Sequence, residues 1–172
     1  MSVDLHGADD AVTLPEALGA SVVAGFAMLL TWTIASALSG RGFWTPLQLA
    51  AAALAGPGAL LAGAGSAATG IALQLGFSIA WGVLYASMLW SVRQRWRGGV
   101  LVGLAYGGAL FFVMVEVIAP WGDPTLLTQA PSLQLLLANL VYGAVLGLWM
   151  PVRRATAPRP HLVTVSRSSP RE

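Results

Sequence analysis

The sequence contains no cysteine, no lysine and only two histidines, His6 and His161. Without cysteine, the chain cannot form a disulfide, a thiolate nucleophile or a thiolate-bound metal site. Both histidines lie in polar terminal segments, so this chain alone cannot supply an axial histidine to a haem inside a membrane. We therefore expect no metal and no cofactor held by its own side chains, whereas a bound lipid is compatible with its composition.

Charge is also scarce. Only 9% of the residues are charged, whereas a soluble domain has roughly 25%. Hydrophobic residues make up 56% of the chain, and the mean hydropathy is +0.73. This composition predicts an integral membrane protein. The pI near 9.7 comes from arginines that flank the apolar segments, so we expect no nucleic-acid partner.

Apolar stretches set the expected topology, because a helix needs about 20 apolar residues to cross a bilayer. Four stretches have that length, and we predict transmembrane helices at about residues 17–38, 70–91, 98–118 and 132–150. The run between Pro46 and Gly56 is too short, so residues 46–55 are predicted to form a short interfacial helix that does not cross. Residues 58–70, rich in glycine and alanine, fit either a close-packed turn or an early start of the second span.

The predicted fold class is therefore an all-α integral membrane protein. Its membrane domain covers residues 16–151. A polar N-terminal tail of residues 1–15 precedes it, and its acidic residues argue against a cleaved signal peptide, which needs a positive N-terminal region. Residues 152–172 are rich in arginine, proline and serine, and we expect them to form a disordered tail.

Arginines concentrate on one side of the predicted membrane. With four spans, the two tails and the 92–97 loop share a side with eight arginines, and the opposite side carries only Arg41. Positive residues favour the cytoplasmic side, so both termini are predicted to lie in the cytoplasm, with the chain in a bacterial inner membrane. The arginines nearest the spans are interpreted first as topology anchors and second as lipid-headgroup contacts: Arg93, Arg95, Arg97, Arg153 and Arg154.

A short pattern recurs in the second and fourth spans. Ser78-x-x-Trp81-Gly82 is followed 61 positions later by Asn139-x-x-Tyr142-Gly143. This recurrence fits a parallel repeat of two hairpins, and the alternative is chance recurrence of small and aromatic residues in apolar helices. On these patterns, and on its layout of short glycine-rich spans over residues 17–150, the chain resembles small bacterial inner-membrane families such as the YagU-like proteins. The resemblance supplies no catalytic residue.

Glycines at a spacing of four mark a candidate packing face. Helices in lipid associate through close backbone contact, so small residues at this spacing favour a tight helix–helix interface. The face could lie inside the chain or against another subunit, and the alternative is accidental placement among 20 glycines. Its members are Gly99, Gly103, Gly107, Gly143 and Gly147.

Polar residues are placed mainly in the outer halves of the spans, and three of them form a candidate cluster. Glu116 is the only charge predicted inside an apolar span, and it lies near the outer end of the third. Gln74 is placed at a similar depth and Asn139 nearer the midplane. Glu116 can be an interfacial carboxylate that reaches water, a proton or cation site, or a structural hydrogen-bonding group. The cluster as a whole fits interhelical bonding or an outward-facing cavity.

No nucleotide-binding, metal-site or catalytic-triad signature occurs in the sequence. We therefore expect a non-enzymatic accessory or assembly subunit of a larger bacterial membrane complex, for example a respiratory or photosynthetic one. Its partners would be other membrane-protein subunits and lipids. The alternative is a small oligomeric transporter or channel that uses the polar cluster around Glu116.

Overall fold

The computed structural model describes residues 13–88, 96–122 and 128–156. Arg93, Arg95, residues 1–12 of the predicted N-terminal tail and residues 157–172 of the predicted C-terminal tail lie outside these ranges.

Helices account for the regular structure of the described residues. The first half contains α1 (Leu14–Leu38), the short α2 (Thr45–Ala55), a 3₁₀ turn (Pro57–Leu61) and α3 (Ala64–Met88). The second half contains α4 (Trp96–Phe112), a π-helical segment (Val113–Ile118), α5 (Ala119–Gly122) and α6 (Ser132–Thr156). Four stretches are long and apolar enough to cross a membrane: Leu14–Leu38, Ala64–Met88, Gly98–Ile118 and Ser132–Trp149. The predicted all-α fold, with four spans and one short extra helix, is confirmed.

Local sequence explains where α1 begins and where α2 ends. The Thr13 N–H donates to Glu16 Oε2 (3.0 Å), and Pro15 lies in the first turn, where its missing N–H costs nothing. Gly56 ends α2 with a φ of +76°, which glycine adopts without strain. Because α2 has only 11 residues, it is too short to cross a bilayer, as predicted.

Three helix boundaries differ from the sequence prediction. Helix α3 begins at Ala64, so residues 64–70 are an early start of the second span and not a turn. The third span continues through Pro120 to Gly122, and α6 continues through Pro151 to Thr156, beyond the predicted end of the fourth span at about residue 150. Membrane helices tolerate proline because neighbouring groups and local helix adjustments satisfy the carbonyl that it leaves free. Residues 152–156, predicted to begin a disordered tail, are therefore helical.

Helix α1 lies at the centre of the packing. It contacts α3 on one side and α6 on the other, and α4 packs on α6 in turn. Helix α2 packs on α3 and buries Leu47 and Leu49. Among the described residues, α3 and α4 do not form an extensively packed pair. Tyr106 of α4 bridges them, since its hydroxyl donates to the Trp81 carbonyl oxygen (2.6 Å).

Candidate functional site

Helices α4 and α6 are joined by a glycine seam. A Cβ added at Gly103 would collide with the Gly143 carbonyl oxygen and lie 2.9 Å from the Gly143 carbonyl carbon. A Cβ at Gly107 would meet the Asn139 carbonyl, and one at Gly147 would meet the Gly99 carbonyl, in the same way. The five glycines of the predicted packing face thus all lie at this contact, and the contact is inside the chain.

Helices α1 and α3 are joined by a second seam of small residues. A Cβ at Gly25 would lie 2.7 Å from the Ser78 Cβ, and one at Gly82 would lie 2.5 Å from the Ser21 Cβ. Ser21 and Ser78 are both buried, with 0% and 3% of their surface exposed. In this seam glycines pack against serine side chains, whereas in the α4–α6 seam glycines meet backbone carbonyls.

The two seams correspond position by position. Ser78 and Gly82 match Asn139 and Gly143 at an offset of 61, which is the offset of the sequence pattern. Their partners on α1 and α4 also match at one common offset of 82, because Gly103 takes the place of Ser21 and Gly107 that of Gly25. The helix pairs α1–α3 and α4–α6 are therefore two hairpins of one packing design.

The difference between the two offsets has a structural origin. Between α1 and α3 the chain forms α2 and the 3₁₀ turn, whereas a shorter connection joins the helices of the second hairpin. The extra segment lengthens the first hairpin by about 21 residues relative to the second. Helix α2 is therefore the main departure from the two-hairpin repeat, and it packs against only one of the hairpins to an appreciable extent.

A cavity of about 30 Å³ lies between the two hairpins, near the middle of their helices. Its lining includes three pairs of residues that the repeat relates: Met28 with Leu110, Ser78 with Asn139, and Trp81 with Tyr142. A space of this size holds about two water molecules, since one water needs about 10–15 Å³ on the same measure. The cavity thus lies where the two repeat units meet.

Hydrogen bonding at this cavity differs between the two hairpins. Asn139 Nδ2 donates to the Leu135 carbonyl oxygen (2.8 Å), and the Tyr142 hydroxyl donates to the Ser78 carbonyl oxygen. These two groups of the second hairpin at the cavity are thereby bonded. On the first hairpin, Ser78 Oγ and Trp81 Nε1 are buried and have no hydrogen-bond partner.

A larger groove continues from this cavity toward the end of the bundle where α2 lies. It has a volume of about 250 Å³ and shares Met28, Gln74, Phe77 and Met114 with the cavity. Helix α2 contributes Ala50, Ala53 and Leu54 to its wall. Phe77 is 40% exposed and Leu54 is 70% exposed, so the groove opens to the outside beside these two side chains.

The structure brings two of the three predicted cluster residues together. Gln74 and Asn139 both line the cavity between the hairpins, and Gln74 Nε2 contacts Met28 Sδ at 3.2 Å. Glu116 is exposed and lines neither the cavity nor the groove. Ser78 and Trp81, which line the same cavity, stand out in the sequence as members of the repeated pattern. The signal that they belong to a site was their equivalence to Asn139 and Tyr142.

Glu116 lies in the π-helical segment, and Pro120 accounts for this local geometry. Proline has no N–H, so Pro120 cannot bond to the carbonyl of Glu116 four residues earlier. The preceding Ala119 N–H instead reaches back five residues to the Met114 carbonyl. π-Helical turns of this kind are rare and bend the helix in which they occur.

Comparison with known protein families, with curated proteins and with solved structures finds no match to this chain. The resemblance to YagU-like proteins therefore stays a prediction.

Proposed function

We propose that this chain is a non-enzymatic accessory or assembly subunit of a larger bacterial membrane complex, of respiratory or photosynthetic type. The proposal rests on the observation that polar side chains of this chain form hydrogen bonds between its own helices. Tyr106, Tyr142 and Gln134 each donate to a backbone carbonyl of another helix. Hydrogen bonds of this kind fix helices to one another and leave few groups available for chemistry.

The distribution of ionisable groups supports the same proposal. Across residues 13–88, 96–122 and 128–156, no group of three or more His, Cys, Asp or Glu side chains could hold a metal ion. Both small-residue seams are used within the chain, so they are not available to a partner. A partner subunit would instead contact the outward apolar faces of α3 and α4, which include Leu84, Met88, Leu101 and Phe112.

Purification of the full-length protein from its native membrane, in a mild detergent and under native conditions, tests this proposal. Mass spectrometry of the purified material should show other membrane-protein subunits at a fixed stoichiometry. A homogeneous preparation that contains only this chain, as a monomer or homo-oligomer, would contradict the subunit function.

The second candidate, a small oligomeric transporter or channel, is favoured by one observation. The cavity between the hairpins lies near the middle of the helices, at the junction of two repeat units, where transporters built from repeats bind their substrates. Gln74 and Asn139 would supply its polar contacts.

Variants of Glu116 distinguish the accessory subunit from the transporter or channel. Because its side chain is exposed and outside the cavity, we expect Glu116→Gln and Glu116→Leu to change the free energy of unfolding by less than about 0.5 kcal/mol. Thermal unfolding in detergent measures this, and a flux assay in proteoliposomes measures any transport. A folded Glu116→Gln protein that has lost a proton-coupled flux shown by the wild type would support the transporter instead.

The orientation of the termini is part of the same proposal. The excess of eight arginines over one favours an inner-membrane orientation in which both termini lie in the cytoplasm. A C-terminal fusion to alkaline phosphatase should therefore be inactive, and a C-terminal fusion to green fluorescent protein should fluoresce. The reverse pattern would overturn the orientation and place α2 on the cytoplasmic side.

A further inference from the structure

We infer that the groove and the cavity between the hairpins together bind one uncharged, membrane-soluble molecule through a carbonyl oxygen. A quinone ring and the ester carbonyl of a lipid both have this chemistry. The inference does not depend on a partner subunit, because every residue in it belongs to this chain.

The shape of the space favours an apolar molecule that enters from the side. The groove of about 250 Å³ has about eight times the volume of the cavity of about 30 Å³, so it has room for a molecule much larger than water. Its walls are formed mainly by apolar side chains from α1, α2, α3 and the π-helical segment. The opening beside Phe77 lies on a span long enough to cross a membrane, so it faces the depth at which lipid chains and quinone tails reside.

The inner end of the space supplies the polar recognition. Ser78 Oγ and Trp81 Nε1 line the cavity, are buried and have no partner. The indole N–H can only donate, and the serine hydroxyl can also donate. A buried donor left unpaired costs free energy that an acceptor oxygen would recover. A ligand carbonyl oxygen has two lone pairs, so at this position it would accept a hydrogen bond from each of the two groups.

The lining also selects against charge. Neither the cavity nor the groove is lined by an Asp, Glu, Arg, Lys or His among the described residues. An ionised group moved into this space would lose its hydration without gaining a counter-ion. The part of the ligand that enters is therefore uncharged, and any charged headgroup stays outside the opening.

The repeat explains why the unpaired hydrogen-bond donors in the cavity lie on the first hairpin and not on the second. Asn139 and Tyr142, the equivalents of Ser78 and Trp81, use their donors on protein carbonyls. The extra helix α2 then encloses the groove beside the first hairpin, through Ala50, Ala53 and Leu54. The ligand's carbonyl is thus directed toward α3.

Native mass spectrometry of the full-length protein, titrated separately with decylubiquinone and with phosphatidylcholine, tests the inference. We expect saturable binding of one molecule per chain. Trp81→Phe and Ser78→Ala should each weaken it about fivefold to tenfold, as the loss of one hydrogen bond predicts. Trp149→Phe is the matched control, because Trp149 Nε1 is also buried and unpaired but lines neither space.

A second pair of variants tests the groove without touching the donors. Ala53→Trp fills the groove from an exposed position and should abolish binding, whereas Ala55→Trp on the same helix lies outside the lining and should not. Binding of decylubiquinone with this variant pattern assigns a quinone, and the same pattern with phosphatidylcholine alone assigns a membrane lipid. Binding of neither probe, or binding that Trp81→Phe and Ala53→Trp leave unchanged, overturns the inference.

Discussion

A Gly107→Leu protein is expected to fold poorly and to accumulate well below the wild-type level. The Gly107 Cα faces the backbone of α6, and a Cβ there would collide with the Asn139 carbonyl oxygen and lie 3.0 Å from its carbonyl carbon. Overpacking costs about 1–3 kcal/mol where side chains can yield. Here the obstruction is backbone, so we expect a loss of about 3 kcal/mol or more in the free energy of unfolding.

Gly108→Leu is the matched control for this prediction, because it adds the same side chain at the next position of the same helix. The nearest atom to a Cβ at Gly108 is Leu140 Cδ2, at 4.0 Å, which is an ordinary contact with a flexible side chain. Fluorescence-detected size-exclusion chromatography would measure the yield of monodisperse protein, and thermal unfolding its stability. Equal yields and equal unfolding temperatures for the two variants would show that the α4–α6 seam is not as close as the structure has it.

The sequence was sufficient to predict the helices because their signals are local. The lengths of the apolar runs predicted the four spans. Pro46 and Gly56 predicted the limits of the short helix between the first two spans. A local signal also misled in one place. Pro151 indicates a helix end, yet α6 passes through it. The glycines of residues 58–70 fitted either a turn or an early start of the second span, and α3 begins among them at Ala64. In both segments the packing of neighbouring residues offsets the weak helix propensity of proline and glycine, so the local sequence alone does not determine where the helix ends.

The candidate site was less predictable, because it depends on which helices face each other. Glu116, Gln74 and Asn139 were grouped by depth alone, but depth does not say on which side of a helix a residue lies. The structure places Glu116 on an exposed side and brings Gln74 beside Met28. The glycines of the α4–α6 seam could be predicted from their spacing of four, whereas the residues that face them could be identified only from the fold.

A close backbone contact between α2 and α3 helps to hold α2 in place, and it can be broken by substitution. A Cβ at Gly70 of α3 would collide with the Leu47 carbonyl oxygen and lie 2.7 Å from its carbonyl carbon. Through this contact α2 buries Leu47 and Leu49, which are 3% and 2% exposed, and Ala51, which is fully buried. Gly70→Leu is therefore expected to displace α2 while α1, α4 and α6 keep their mutual contacts.

Because the chain has no cysteine, a single introduced thiol reports the displacement of α2 without interference. Ala51→Cys places a small side chain at a fully buried position of α2, and a membrane-impermeant maleimide should label it slowly. Adding Gly70→Leu should raise the labelling rate at least about tenfold. A tenfold increase corresponds to a decrease of about 1.4 kcal/mol in the free energy needed to detach α2 locally and expose the thiol. Adding Gly76→Leu instead should leave the rate unchanged, because a Cβ at Gly76 meets no atom within 4 Å. Equal labelling rates in the two double variants would mean that α2 is held elsewhere than at Gly70. In that case the enclosure of the groove by α2 would not depend on this close backbone approach.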